Sequence, residues 1–298
     1  MPSLSGTVAL VAGATRGAGR GIAWTLGEAG ATVYCSGRST RARPAPGRRP
    51  ETIEETAEGV TRRGGRGFPA AVDHTRPDEV EALVARIRDE QGRLDLLVND
   101  VWGGDELVEW GKPFWELSLE RGFLLLQRAL HSHIITARLA VPLMLPGKRG
   151  LVIEVGDGDG YWYRQNLLFD LVKTSVLRLA FGMAEELRPH GLTALALTPG
   201  FLRSEAMLDH FGVTEATWRD GVAKDPHFAQ SETPFYTGRA VAALAADPGI
   251  AAKSGRSFNT GALAREYGFR DVDGSQPDWM GYALREIPHL FADPFLAR

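Results

Sequence analysis

Cysteine is almost absent from this sequence of 298 residues: Cys35 is the only one. An internal disulfide and a multi-cysteine metal site are therefore excluded, and stability has to come from a buried apolar core. No run approaches the roughly 18 to 20 apolar residues that a membrane-spanning helix needs, so no membrane partner is expected. The opening stretch MPSLSGTVALVAG has neither the basic start nor the cleavage site of a signal peptide, which predicts a cytoplasmic protein. Basic charge is not in excess, with 34 Lys and Arg against 37 Asp and Glu and a net charge of -3. Such a chain has no overall field with which to gather a phosphate backbone, and nucleic acid is not an expected partner. A hydrophobic share of 44% with 24% charged residues is that of an ordinary globular protein with a core of useful size.

What is present is an alternation. Short apolar or β-branched runs at Val8–Ala12, Thr32–Ser36, Gly67–Val72, Leu94–Val98, Leu151–Val155 and Thr193–Thr198 are separated by longer stretches of helical character. Asp78–Glu90 repeats Val80, Leu83, Val84 and Ile87 at helical spacing, and Leu171–Leu187 repeats Val172, Val176, Leu179, Met183 and Leu187. The pattern predicts an α/β fold, a doubly wound parallel sheet of Rossmann type with helices on both faces. Right-handed crossovers place every strand-to-helix loop at the carboxyl edge of such a sheet, where ligands bind. The absence of repeats and long linkers predicts a single domain over 1–298. Its expected parts are a nucleotide-binding core at about 5–202, a substrate lid at about 201–235, and a C-terminal strand and tail at about 255–298.

Several segments leave the alternation. Arg38–Pro50 has five arginines, three prolines and no acid, and reads either as a solvated loop or as a local positive field. Gly103–Leu117 carries Trp110 and Trp115, close behind Trp102, and Phe201–Pro234 mixes polar and aromatic residues. Both have the character of lids over a pocket. The tail Ala262–Arg298, with Tyr267, Trp279 and Tyr282, either completes the pocket or binds a second subunit.

The first run is followed by Gly13-Ala14-Thr15-Arg16-Gly17-Ala18-Gly19 and then by a helical stretch. Glycines at a strand-to-helix turn let the backbone approach a pyrophosphate, and the helix N-terminus offers free N–H groups and a positive dipole. The second strand ends Cys35-Ser36-Gly37-Arg38 with no acid before Glu51. An acid there would bind the ribose hydroxyls of NAD, whereas arginine suits the 2′-phosphate of NADP. Arg38, together with Arg16 inside the glycine turn, predicts NADP(H).

The glycine turn resembles the TGxxxGxG element of the short-chain dehydrogenase/reductase family, with Ala12 in place of the leading threonine. Asp73, Asn99, Lys173 and Pro199-Gly200 follow in the family's order, so that the resemblance covers roughly residues 5 to 202. It implies that Asp73 contacts the adenine, that Asn99 supports the nicotinamide region, that Pro199 and Gly200 pass beside the nicotinamide, and that the protein is a homodimer or homotetramer. Where the family usually has NNAG, this chain has Asn99-Asp100-Val101-Trp102-Gly103.

Carbonyl-reducing members of that family are similar in an Asn, Ser, Tyr and Lys set, and here the match breaks. Lys173 is present, but Phe169 stands at the tyrosine position, Gly156 and Asp157 at the serine position, and Ala129 near the asparagine position. Phenylalanine cannot donate a proton, and general acid catalysis is typically worth about 10² to 10⁴-fold. Three explanations are open. The acid is relocated, with Tyr163, Tyr161, Asp157 and Asp159 as candidates; or the substrate needs no acid at the acceptor atom, as with an iminium or a conjugated alkene; or redox turnover is lost. The expected function is reduction of a C=O, C=N or activated C=C bond in a small organic substrate, cyclic or aromatic in view of the lid composition. The alternative is an NADP(H)-binding protein without redox turnover, or a non-redox dehydration or cyclisation on the same scaffold.

His131 and His133 fall on an expected helix over Arg121–Leu145, where an i, i+2 pair points to different faces and is not expected to share a metal; they read as core or surface histidines, or one of them as a proton donor entering the pocket. Glu154 takes a strand position where the family often has asparagine. Asp157-Gly158-Asp159-Gly160 has the composition of a calcium loop but lacks its further ligands, so that a pocket loop is expected and no metal.

Overall fold

A computed structural model describes residues 2–44 and 49–292. The parts of the Arg38–Pro50 loop and of the C-terminal tail that fall on 45–48 and 293–298 lie outside the described residues. The six expected strands are all present: β1 (Val8–Ala12), β2 (Thr32–Gly37), β3 (Arg66–Ala71), β4 (Leu96–Asn99), β5 (Gly150–Val155) and β6 (Leu192–Thr198). After β7 (Phe201–Leu202) and β8 (Ser231–Glu232), the seventh strand of the main sheet is β9 (Ser257–Asn259). The main sheet is parallel throughout, in the order β3-β2-β1-β4-β5-β6-β9. Ala12 of β1 pairs with Ser36 of β2 on one side and with Asn99 of β4 on the other. The strand order therefore reverses at β1, which opens a crevice at the carboxyl edge beside the glycine turn.

Successive side chains of a strand point to opposite faces, and these strands are apolar at nearly every position because both faces are covered. Ala9, Val11, Val33, Cys35, Val98 and Ile153 pack on one face against α1 (Gly17–Glu28), α2 (Ile53–Arg62) and α8 (Pro234–Ala246). Val8, Leu10, Tyr34, Leu97, Val152 and Ala194 pack on the other against α3 (Pro77–Gln91), α5 (Ser132–Met144) and α6 (Leu167–Leu187). Leu97 is fully buried in this second cluster, and its truncation to alanine is expected to cost about 2 to 5 kcal/mol. Cys35 is likewise fully buried, and burial pushes its thiol pKa up.

Helix ends follow local chemistry. Pro77 opens α3, and Gly92 closes it in the left-handed region at φ 73°. The Asn166 side chain caps α6 by accepting the Phe169 N–H at 3.1 Å. The helix expected over Arg121–Leu145 is not uniform: α4 (Leu119–Leu126) passes through a π-helical turn at Gln127–His131 before α5 begins. The wider turn changes the phase of the side chains, and an apolar spacing pattern does not reveal it. Ala129, near the position of the family's asparagine, is buried inside this turn.

Candidate functional site

The crevice is built on the first turn. Gly13, at φ 90°, donates its N–H to the Ser36 carbonyl at 3.0 Å, and a Cβ on it would lie 2.3 Å from the Asp100 carbonyl oxygen. Only glycine lets β1 and the end of β4 come this close. Thr15 is buried, and its carbonyl accepts from Arg20 Nε at 3.0 Å. The N-terminus of α1 then carries two internal carboxylates. The Gly17 N–H donates to Glu205 Oε2 at 2.7 Å, and the Gly19 N–H donates to Asp100. Burial pushes the Asp100 pKa up to about 7 against the opposing pull of Lys173, His133 and Gly19. An anion-binding helix terminus thus holds anions supplied by the chain itself.

At the end of β2, Arg16 reaches across to donate to Ser39 Oγ at 3.4 Å, next to Arg38. Arg16 Nε is buried without a hydrogen-bond partner and lies 3.8 Å from Glu51 Oε2. Burial lowers the Arg16 pKa, opposed by Glu51, but a guanidinium remains charged. Arg49 donates to Glu51 and, at 2.7 Å, to Asp209. Arg38 Nη1 stands 3.9 Å from Asp73 Oδ2. Asp73 also accepts from Thr75 N–H and Oγ1 at 3.0 and 2.7 Å, and these bonds outweigh burial and hold its pKa below the ordinary value. The orphaned Arg16 Nε and the exposed Arg38 fork fit an anionic phosphate at the ribose end of a dinucleotide.

On the other side of the crevice, Phe169 lies one turn before Lys173 on α6. Its ring meets Trp102 edge-on at 5.6 Å and Trp110 at 5.1 Å. Lys173 Nζ sits 3.9 Å from the centre of the Trp102 ring, a cation–π contact. Burial lowers the Lys173 pKa, while the negative field of Asp157, followed by Asp100 and Asp105, opposes it. Among the catalytic candidates, Asp157 is therefore within electrostatic reach of Lys173.

Tyr161 and Tyr163 are 40% and 57% exposed, whereas Trp162 between them is buried. Their loop is shaped from within by Arg164, whose guanidinium donates to the carbonyls of Asp157, Gly160 and Trp162 at 2.8, 2.9 and 3.0 Å and to Asp170. Asp159 accepts from Asn259 Nδ2 at 2.7 Å. No group of three or more His, Cys, Asp or Glu that could hold a metal occurs among the described residues.

Asn99 is fully buried and donates to Glu154 Oε1 at 2.7 Å. Glu154 Oε2 in turn lies 2.6 Å from His133 Nδ1, and His133 Nε2 lies 2.9 Å from the Val101 carbonyl. Burial disfavours the His133 cation, but the Glu154 charge prevails and raises its pKa. His131 is exposed, so the two histidines do lie on different faces. This buried pair braces the end of β4. The sequence left both the direction of Glu154 and the partner of His133 open, because they are brought together by strand register and the π turn.

After β6 the chain runs through Pro199 and Gly200 into the segment 201–235, where β7 pairs with β8 and α7 (Glu205–Phe211) lies between them. Glu232 is buried beneath Gly200, whose N–H it accepts together with the Thr237 and Thr260 hydroxyls at 3.1 and 2.5 Å. Burial raises the Glu232 pKa to about 7. The core of this segment is aromatic, with Phe211 stacked on Phe228 at 4.1 Å and Phe201 beside Phe228 and Trp279. Glu205, Asp100 and Glu232 were not singled out from the sequence, and no spacing marks them.

Comparison with known proteins agrees with this geometry. The family model described as short chain dehydrogenase matches residues 7–211. The chain is similar to dehydrogenase/reductase SDR family member 1 of Mus musculus, 35% identical over 295 residues, covering 96% of this chain and 91% of the mouse protein. The human protein of the same name is 34% identical over 276 residues, covering 91% and 85%. A short chain dehydrogenase from Mycobacterium thermoresistibile has a similar fold, with a TM-score of 0.77 at 23% identity over 93% of each chain.

Proposed function

Because this chain belongs to the short-chain dehydrogenase family, whose members use nicotinamide cofactors, we propose that it is an NADP(H)-dependent oxidoreductase whose proton donor is not residue 169. Its substrate is a small organic molecule with a C=O, C=N or activated C=C bond, cyclic or aromatic to suit the aromatic lid. The observation that carries the cofactor choice is Arg16 Nε, buried without a hydrogen-bond partner and 3.8 Å from Glu51, with Arg38 and Ser39 close by. Bound cofactor supplies or accepts a hydride at the substrate carbon. Gly13, Thr15, Gly17 and Gly19 form the cradle for its pyrophosphate, Asp73 lies on the adenine side, and Asn99, Pro199 and Gly200 flank the nicotinamide side. Lys173 holds the ribose and sets the field at the reacting bond, with Asp157, Tyr161 and Tyr163 as the nearby candidates for the acid.

A second reading is NADP(H) binding without redox turnover, or a non-redox dehydration or cyclisation. It is favoured by one feature, the Phe169 ring packed between Trp102 and Trp110 where a hydroxyl would be needed. Titration of intrinsic or cofactor fluorescence with NADPH and NADH tests the common half. Absence of NADPH binding at millimolar concentration rejects both readings, and tighter NADH binding rejects the choice of phosphate.

The same reading gives a single-domain, cytoplasmic protein. No helix among the described residues is long and apolar enough to cross a membrane. A homodimer or homotetramer is supported by Leu119 and Phe123 on α4 and Leu167 and Leu171 on α6, large apolar side chains that are all exposed. Sedimentation of the parent and of Leu171→Glu checks this, since a monomeric parent rejects the assembly.

A further inference from the structure

The last described α-helix, Trp279–Glu286, is capped by Asp278 and pressed onto the turn that leaves β6. A Cβ on Gly200 would lie 2.8 Å from Trp279 Cβ and 2.6 Å from Glu232 Oε2, so the approach needs glycine. The Trp279 ring is 5.4 Å from that of Phe201, the next residue along the turn. Tyr282 stands three residues further on the same helix face, with ring centres 6.0 Å apart. From the lid, the short 3-10 helix Pro226–Gln230 brings His227 to within 5.7 Å of the Tyr282 ring, with Nδ1 3.0 Å from Oη. The Asp225 side chain fixes this histidine by accepting its backbone N–H at 2.8 Å. Both side chains are half-buried, open enough to meet a ligand and water. Phe291 touches Trp279 at 6.5 Å and Trp162 at 5.0 Å, which joins this aromatic group to the loop that carries Asp157. A phenol paired with an imidazole thus stands on the helix whose Trp279 abuts Gly200, while the family's usual acid position is filled by Phe169.

Resting on the reading of the chain as a nicotinamide-dependent reductase, we infer that Tyr282 is the proton donor to the substrate oxygen and that His227 resupplies its proton. As the cofactor delivers hydride to the carbonyl carbon, the C=O π pair moves to oxygen. The Tyr282 Oη–H bond breaks, and the O–H bond of the alcohol forms. The phenolate takes the Nδ1 proton of His227 while Nε2 takes one from water, whose hydroxide is neutralised by the buffer; exchange with solvent then returns the imidazole proton from Nε2 to Nδ1, so one solvent proton enters per turnover and the starting tautomer is restored. Aromatic aldehydes suit the walls formed by Phe201 and Trp279.

The test uses the full chain with NADPH and two probes, 4-nitrobenzaldehyde, which needs an acid, and the preformed iminium 2-methyl-3,4-dihydroisoquinolinium, which does not. Tyr282→Phe is expected to lower aldehyde turnover by about 10² to 10⁴-fold and His227→Gln by about tenfold, with iminium turnover within about twofold of the parent. Unchanged aldehyde turnover in Tyr282→Phe, or equal loss of both reactions, overturns the acid role. A parent that reduces the iminium and not the aldehyde also overturns it and leaves the proposed function standing. A parent that reduces neither overturns the proposed function, and the acid role with it. Independently of activity, nitrogen NMR of His227 in the cofactor-free protein is expected to show a protonated Nδ1. A bare Nδ1 would direct the Tyr282 proton at the imidazole instead and overturn the resupply.

Discussion

The Glu205 carboxylate lies 2.7 Å from the Gly17 N–H and 3.9 Å from Arg20, so an acid of α7 occupies the N-terminal end of α1. The same helix is tethered a turn later through Asp209 to Arg49. A charge at a helix N-terminus is worth about 0.3 to 1 kcal/mol, up to about 2 when partly buried. An incoming pyrophosphate competes with it. Glu205→Gln is therefore expected to tighten NADPH binding by about three- to tenfold in a fluorescence titration, and weaker binding would show that the contact secures the bound cofactor instead.

Arg16 donates to Ser39, while the neighbouring Arg38 stands 3.9 Å from Asp73, and the proposed function gives both the 2′-phosphate as ligand. Replacing either with alanine is expected to weaken NADPH about 10- to 100-fold and to leave NADH within about twofold, because only the 2′-phosphate is lost from the contact set. Equal weakening of both cofactors in the same titration would move these arginines from specificity to general support.

Phe169→Tyr restores a phenol one helical turn from Lys173, whose field favours the phenolate. Ketone reduction measured by NADPH absorbance is expected to rise by about tenfold or more. No rise, with cofactor affinity unchanged, would mean that Trp102 and Trp110 hold the ring away from the reacting atoms.

Asp100 contributes a pH dependence whose sign can be worked out. Its ordinary value of 3.8 is raised to about 7 in the folded chain, so the folded state retains a proton that the unfolded chain releases. Stability is then highest below about pH 4, falls as pH rises toward 7, and levels above that. Glu232, raised for the same reason, adds to the slope. Thermal melts of Asp100→Asn should show a flatter decline over this window than the parent. Parallel curves would contradict the assignment.

The sheet was legible because β-branched runs and glycine punctuation are local signals, and the order of Gly13, Asp73, Asn99, Lys173 and Pro199-Gly200 fixed the crevice. The missing hydroxyl at 169 was equally plain. Contacts made by topology left no such trace. Glu205 and Gly17 are 188 residues apart, and His227 and Tyr282 are 55 apart. The pairing of His133 with Glu154 depends on a π turn that spacing rules read as ordinary helix. Tyr161 and Tyr163, chosen for their nearness to Phe169 along the chain, prove to be largely exposed, because the Arg164 anchor folds the loop around Trp162.

Cys35, the one cysteine, sits on β2, one strand in from the β3 edge of the sheet, with no exposed surface. A thiol reagent added to the native protein can react only after that strand is uncovered, so the labelling rate serves as a clock for opening of the β2–β3 side of the sheet, next to the nucleotide turn. Comparing that rate with and without NADPH would report whether cofactor binding holds this side of the sheet closed, without any enzymatic assay.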